Sequence, residues 1–208
     1  MKLTVLSSIS LLGSGALATP ALYQRDVAAI LGVLTDINAQ VNALESAITA
    51  TPLDPDSIVS QSNTLVSTIR SGTTTVSAQP NLNQIEALGL VTPTQDLADD
   101  TESTVNSLIG VKDAILELGE GCTTLESLQE QFEAASGLSD AVVSKVPEAL
   151  ADISKELADT IANAIQAGID AYQGSCDGGN GGTPPPGSTT TTAGPTSTTK
   201  TACPAKTH

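Results

Sequence analysis

From Asp26 to Tyr172 the apolar residues recur every three or four positions, the stripe of one amphipathic helix after another. The spacing predicts a first helix over Asp26–Ala50, with Val27, Ile30, Leu31, Leu34, Ile37, Val41, Leu44 and Ile48 on one face. Pro52 and Pro55 end it, and Asp56 or Ser57 is placed to cap a second helix carrying Ile58, Leu65, Ile69 and Val76. That helix is rich in Ser and Thr, and Gly72 weakens its propensity. Pro80 closes it. A short helical piece is expected over Leu82–Val91, and Pro93 restarts the chain with Thr94 as candidate cap. Gln95–Leu118 follows, then the break Gly119-Glu120-Gly121, then Thr123–Val146. Pro147 opens the last helix, whose stripe runs Leu150, Ile153, Leu157, Ile161, Ile165 and Ile169 before Gly174 ends it.

No window alternates like a strand between hairpin signals. Helices of about 25 residues, each roughly 37 Å long, joined by short connections, fold back on one another. The expected fold is all-α: an elongated up-and-down bundle of about five helices over residues 26–176, followed by a disordered C-terminal tail.

The ends of the chain set the compartment. Lys2, the apolar stretch Val5–Leu17 and the cleavage pattern Ala16-Leu17-Ala18 read as a signal peptide over residues 1–18, with 19–25 as a short leader. No other apolar run reaches about 18 residues, so no transmembrane segment is expected. Residues 177–208 begin with glycines, stiffen at Thr183-Pro184-Pro185-Pro186 and continue as hydroxyl runs flanked by proline. Such a composition builds no core and suits O-glycosylation, with Thr189, Thr190, Thr191, Thr192, Thr198 and Thr199 as candidates. The protein is therefore expected to be secreted and extracellular.

Charge narrows the partners. The whole chain carries −15. All 23 acidic residues lie between Asp26 and Asp177, opposed there only by Arg70, Lys112, Lys145 and Lys155, which leaves −19 on the helical segment. That field repels phosphate backbones and anionic membranes, so no nucleic-acid partner is expected.

Candidate chemistry is sparse. The single histidine is His208, so the domain holds no Ser-His or Cys-His nucleophilic system. Asp99-Asp100-x-Glu102 and Glu117-x-x-Glu120 read as solvated helix faces. No catalytic residue, metal site or cofactor is expected, and the chain does not read as an enzyme. There is no Trp, and the helical segment holds only Phe132 and Tyr172 as aromatics, so its core must be built from Leu, Ile, Val and Ala. Of three cysteines, Cys122 precedes a helix and Cys176 follows the equally long helix that returns, which puts both at one end of the bundle. A Cys122–Cys176 disulfide is expected, leaving Cys203 over; Cys176–Cys203 is the alternative.

The pattern Arg25-Asp26-Val27-x-x-Ile30-Leu31, then Ile37-x-x-x-Val41-x-x-Leu44, the mid-chain helix Leu97–Lys112 and the closing helix after Lys145-Val146-Pro147 resemble the fungal hydrophobic surface binding protein A family, which includes cell-wall galactomannoproteins. The resemblance covers about residues 26–173. It implies a secreted helical bundle that adsorbs to hydrophobic surfaces and recruits secreted hydrolases, with relatives that bind fatty acids between their helices. An aromatic-poor core suits such a void. Its expected lining is the set of apolar residues near mid-helix: Leu34, Val41, Leu65, Ile69, Leu108, Ile115, Phe132, Leu157 and Ile161. The alternative is a purely structural cell-wall mannoprotein without a specific ligand.

Overall fold

The computed structural model describes residues 20–176, with side chains described from Val27 onward. The expected signal peptide, the tail with its threonines, and Cys203 lie outside the described residues. Seven helices follow in order: α1 (Pro20–Ile48), α2 (Pro55–Ser77), α3 (Gln84–Leu88), α4 (Val91–Gly110), α5 (Lys112–Glu117), α6 (Gly121–Val143) and α7 (Glu148–Tyr172). Five are long, two are short connectors, and the described residues contain no strand.

The long helices alternate in direction along the chain but close into a ring in a different order. α1 packs on α2, α2 on α6, α6 on α7, α7 on α4, and α4 back on α1. Ring neighbours that are distant in sequence run parallel. Ser103 Oγ donates to Glu45 Oε1 at 2.9 Å and Asn42 Nδ2 donates to Asp100 Oδ2 at 3.3 Å, so α1 and α4 advance together. Gln131 Nε2 donates to Ser62 Oγ at 2.8 Å, and Lys145 Nζ to the Ser77 carbonyl at 2.9 Å, which aligns α2 with α6. The short helices make this order possible. α3 carries the chain from α2 past α7 to α4, held where the Leu82 amide donates to the Lys145 carbonyl at 2.8 Å. α5 turns it from α4 to α6 at the opposite end.

Several local expectations shift. The first residue of α2 is Pro55 and its cap position is Asp54, not Asp56 or Ser57; Pro55 has no N–H to be capped. Pro93 sits in the first turn of α4 without breaking it, and Thr94 lies inside that helix, its hydroxyl donating to the Leu90 carbonyl at 2.8 Å rather than capping. The expected single helix Gln95–Leu118 is interrupted at Val111. Gly119 takes φ +82°, a left-handed conformation that explains why a glycine marks this break. α1 between Val27 and Ile48 is long and apolar enough to cross a membrane by length and composition, with mean hydropathy 1.4. Here its stripe, Ile30 through Ile48, is buried in the ring wall.

Gly72 is a packing residue, not merely a weak helix former. A Cβ at this position would stand 2.5 Å from Val33 Cγ1, on a β-branched side chain with little room to rotate. Gly72→Ala is therefore expected to destabilise the domain by about 1–2 kcal/mol, although alanine is the better helix former by about 1 kcal/mol. Urea unfolding of the two proteins measures this, and a stabilised variant would show that α1 and α2 can separate freely.

The end carrying α5 is the more tightly tied. Cys122 and Cys176 are joined in a disulfide. Tyr172, fully buried, donates its hydroxyl to the Leu108 carbonyl at 3.0 Å, and Lys112 donates to the Ala171 carbonyl. Burial pushes the Tyr172 phenol up from its ordinary range, with the nearby Asp113 carboxylate adding to the shift, so it stays a neutral donor.

Candidate functional site

Five helices around one axis leave more central space than paired helices do, and side chains must fill it. Here they do not. The only Phe of the chain, Phe132, is half-buried and packs against the core without facing the axis. A cavity of about 450 Å³ remains, within the range of small-molecule sites.

All five long helices contribute to it. Leu34, Ile37 and Val41 come from α1, Leu65 and Ile69 from α2, Thr94, Leu97 and Thr101 from α4. The C-terminal half of α6 supplies Gln131, Ala135, Leu138 and Val142, and α7 supplies Ala158, Ile161, Ala162 and Ile165. The contributions of α4 and of most of α6 come from the half of the bundle away from the disulfide, while those of α7 reach past mid-helix to Ile165. Thr94 donates to the Leu90 carbonyl, Thr101 to the Leu97 carbonyl at 2.7 Å and Gln131 to Ser62, so these three polar groups in the wall have partners of their own.

The burial of the lining shows where the cavity opens. On α1 and α2 every lining residue is buried. On α6 and α7, Ala135, Ser136, Ser139, Ser154, Ala158 and Ala162 are half-buried, and Asp140, Lys155 and Asp159 are exposed. The opening is therefore lateral, a seam between α6 and α7. Small residues spaced by four line it on each helix, Ala135 and Ser139 on α6 and Ser154, Ala158 and Ala162 on α7, and leave little side chain to fill it.

Of the nine residues expected to line a void, the structure places Leu34, Val41, Leu65, Ile69 and Ile161 around this cavity. The other four lie elsewhere. Leu108 is buried in the disulfide half, where its carbonyl receives Tyr172. Ile115 belongs to the connector α5, because the chain breaks at Val111. Phe132 and Leu157 are half-buried, one residue out of phase with the inward-facing Gln131 and Ala158. Mid-helix position is not enough by itself: Phe132 and Leu157 sit near mid-helix but on the wrong face, and the break at Val111 puts Leu108 at the end of α4 and Ile115 in α5. Sequence reasoning also passed over Gln131, Thr94, Thr101 and the Ala/Ser seam. The run Ser154, Ala158, Ala162 at intervals of four is the signal the sequence carries for this seam.

Among the described residues, no three His, Cys, Asp or Glu side chains group as a metal site. Asp99, Glu102 and Glu117 are exposed, Asp100 accepts from Asn42, and Glu120 precedes the first turn of α6.

The comparisons agree with a ligand-holding domain. A family profile described as hydrophobic surface binding protein A matches residues 27–144. Cell wall mannoprotein 1 of Aspergillus fumigatus is 45% identical over 161 residues, covering 77% of this chain and 56% of the relative. Cell wall mannoprotein 1 of Aspergillus flavus is 36% identical over 178 residues, covering 85% of this chain. The chain thus spans 56% and 64% of the lengths of these two relatives. Among solved structures, ligand binding domain 2 of the Penicillium marneffei MP1 protein, complexed with multiple arachidonic acids, superposes with a TM-score of 0.70 at 36% identity, covering 72% of this chain and 97% of that one.

Proposed function

Because the chain belongs to the hydrophobic surface binding protein A family, we propose that its helical domain is a carrier for single-chain lipids, fatty acids first among them, working at the fungal cell wall or outside the cell. The observation that carries this is the 450 Å³ axial cavity, lined mainly by Leu, Ile, Val and Ala from five helices and reached through one lateral seam. Burial of each methylene there is worth about 0.8 kcal/mol. Ten methylenes supply about 8 kcal/mol before ordering costs, enough for micromolar binding after those costs are met. The relatives point the same way: a domain 36% identical holds arachidonic acids.

The rest of the proposal concerns the whole protein. Residues 1–18 act as a signal peptide, and the Thr/Pro-rich segment 177–208 carries O-glycans that tie the domain to wall glycans. Adsorption to hydrophobic surfaces, recruitment of a secreted hydrolase and the absence of any catalytic activity of its own belong to the same reading. A purely structural mannoprotein is the competing reading.

Lipid extraction of the protein purified from its secretory host, followed by mass spectrometry and by calorimetry with palmitate and arachidonate, tests the carrier. Co-purified acyl chains and saturable one-site binding are expected. Protein that carries no lipid, binds neither acid and is not retained on a hydrophobic resin is the structural mannoprotein instead.

A further inference from the structure

Four basic side chains lie among residues 27–176, and two of them are explained by their surroundings. Lys112 donates to the Ala171 carbonyl at the end of α7 and stands 5.8 Å from the centre of the Tyr172 ring. Lys145 donates to the Ser77 carbonyl at the end of α2. Each satisfies the carbonyl end of a helix, where positive charge is favoured. Arg70 stands exposed on α2, away from the cavity lining. Lys155 is different. Among the described residues its ammonium makes no hydrogen bond, and it is the one basic residue that lines the cavity.

Its place is the mouth. Lys155 is exposed at the α6–α7 seam, where Ser136, Ser139 and Ser154 also line the opening. A lipid whose tail fills the Leu/Ile/Val end leaves its head at this spot. Lys155 also faces opposing charge: Asp159 and Asp140 line the same opening, and Asp152 and Glu156 flank it on α7. The simplest competing role is a solvated pair with Asp159 one turn on, worth a few tenths of a kcal/mol.

We propose that Lys155 is the head-group anchor of the cavity, so that the site selects an ionised monocarboxylate over a neutral lipid of the same chain length. This rests on the carrier reading and specifies its ligand. The ammonium supplies a charge-assisted hydrogen bond that a neutral ester cannot match, and the hydroxyls of Ser139 and Ser154 complete the solvation of the second oxygen, Ser136 being engaged with the Phe132 carbonyl. Asp140 and Asp159 set the upper limit. With one ammonium amid the carboxylates of Asp140, Asp159, Asp152 and Glu156, only a single negative charge in direct contact with Lys155 is held, and a doubly charged phosphate monoester is repelled more strongly.

Calorimetry on the full chain with myristate, methyl myristate and myristyl phosphate tests this, using the wild type, Lys155→Met, Lys155→Arg and Asp159→Asn. Lys155→Met is expected to weaken myristate about ten-fold and leave the methyl ester unchanged, an effect near the low end for a charged hydrogen bond because the site is exposed. Lys155→Arg restores acid binding, Asp159→Asn tightens it a few-fold, and the phosphate binds most weakly of the three lipids. A purely structural lysine would move the acid and the ester together. Equal loss for both lipids, or no loss for either, overturns the anchor while leaving the carrier standing. Wild-type protein that binds none of the three overturns both.

Discussion

Replacing Cys122 and Cys176 by serine together is expected to lower the melting temperature by roughly 10–15 °C. The bond links residues 54 apart in sequence. On the chain-entropy account, a loop of this length removed from the unfolded ensemble is worth about 4 kcal/mol. For a domain of this size each kcal/mol is worth about 2–4 °C. The loop is the α6–α7 hairpin, so the bond closes the two helices that form the cavity seam at the end opposite their opening. Fatty-acid binding below the new transition should therefore survive, since Tyr172 and Lys112 still dock the end of α7 onto α4. Thermal unfolding followed by circular dichroism, with and without reductant, gives the measurement. An unchanged transition would show that the hairpin is already closed in the unfolded chain.

Filling the seam should abolish most binding without unfolding the protein. Ala162→Phe places a ring in the cavity from a half-buried position on α7. Excluding three or four methylenes of a bound chain costs about 2.5–3 kcal/mol, or about a hundred-fold in affinity. The space is open, so helical content and melting temperature should stay close to the wild type. Leu157→Phe is the matched control, because Leu157 is half-buried but off the cavity wall. Its affinity should be unaltered. Leu108→Phe, in the tightly packed disulfide half, should instead lose about 1–3 kcal/mol of stability through overpacking and leave binding intact. Calorimetry with palmitate across the three variants decides it. Equal affinities would place the ligand somewhere other than the axial cavity.

The helices themselves were legible in the sequence because helical periodicity is local. The stripe from Ile30 to Ile48 declares its buried face in any context that buries it, and the structure buries those positions. Pro55 and Gly119 mark helix boundaries through their own backbone preferences, which need no partner. The break at Val111 had one local signal, Gly110 at the end of α4, but a single glycine is tolerated inside many helices, and only the turn into α6 bends the chain there. Gly72 was misread for a related reason: its propensity is local, but the Val33 methyl that excludes a side chain lies on another helix.

The cavity shows the division most clearly. Composition alone determined that the core would lack large rings, and with it that a five-helix arrangement would be hard to fill. The sequence also determined the acidic surface and the chemistry available at any mouth. Where the void sits was decided only by the ring order α1, α2, α6, α7, α4, which sets sequence-distant helices side by side in parallel. That order moves the void away from the disulfide end. It leaves Leu108 and Ile115 in packed regions and turns Gln131 and the Ala162 row toward the axis. A periodic stripe specifies which face of a helix is inward, to within a residue or so, but not which neighbours meet it or at what height. Those depend on contacts between residues about 60 apart, such as Ser62 with Gln131 and Leu108 with Tyr172, which no local pattern encodes.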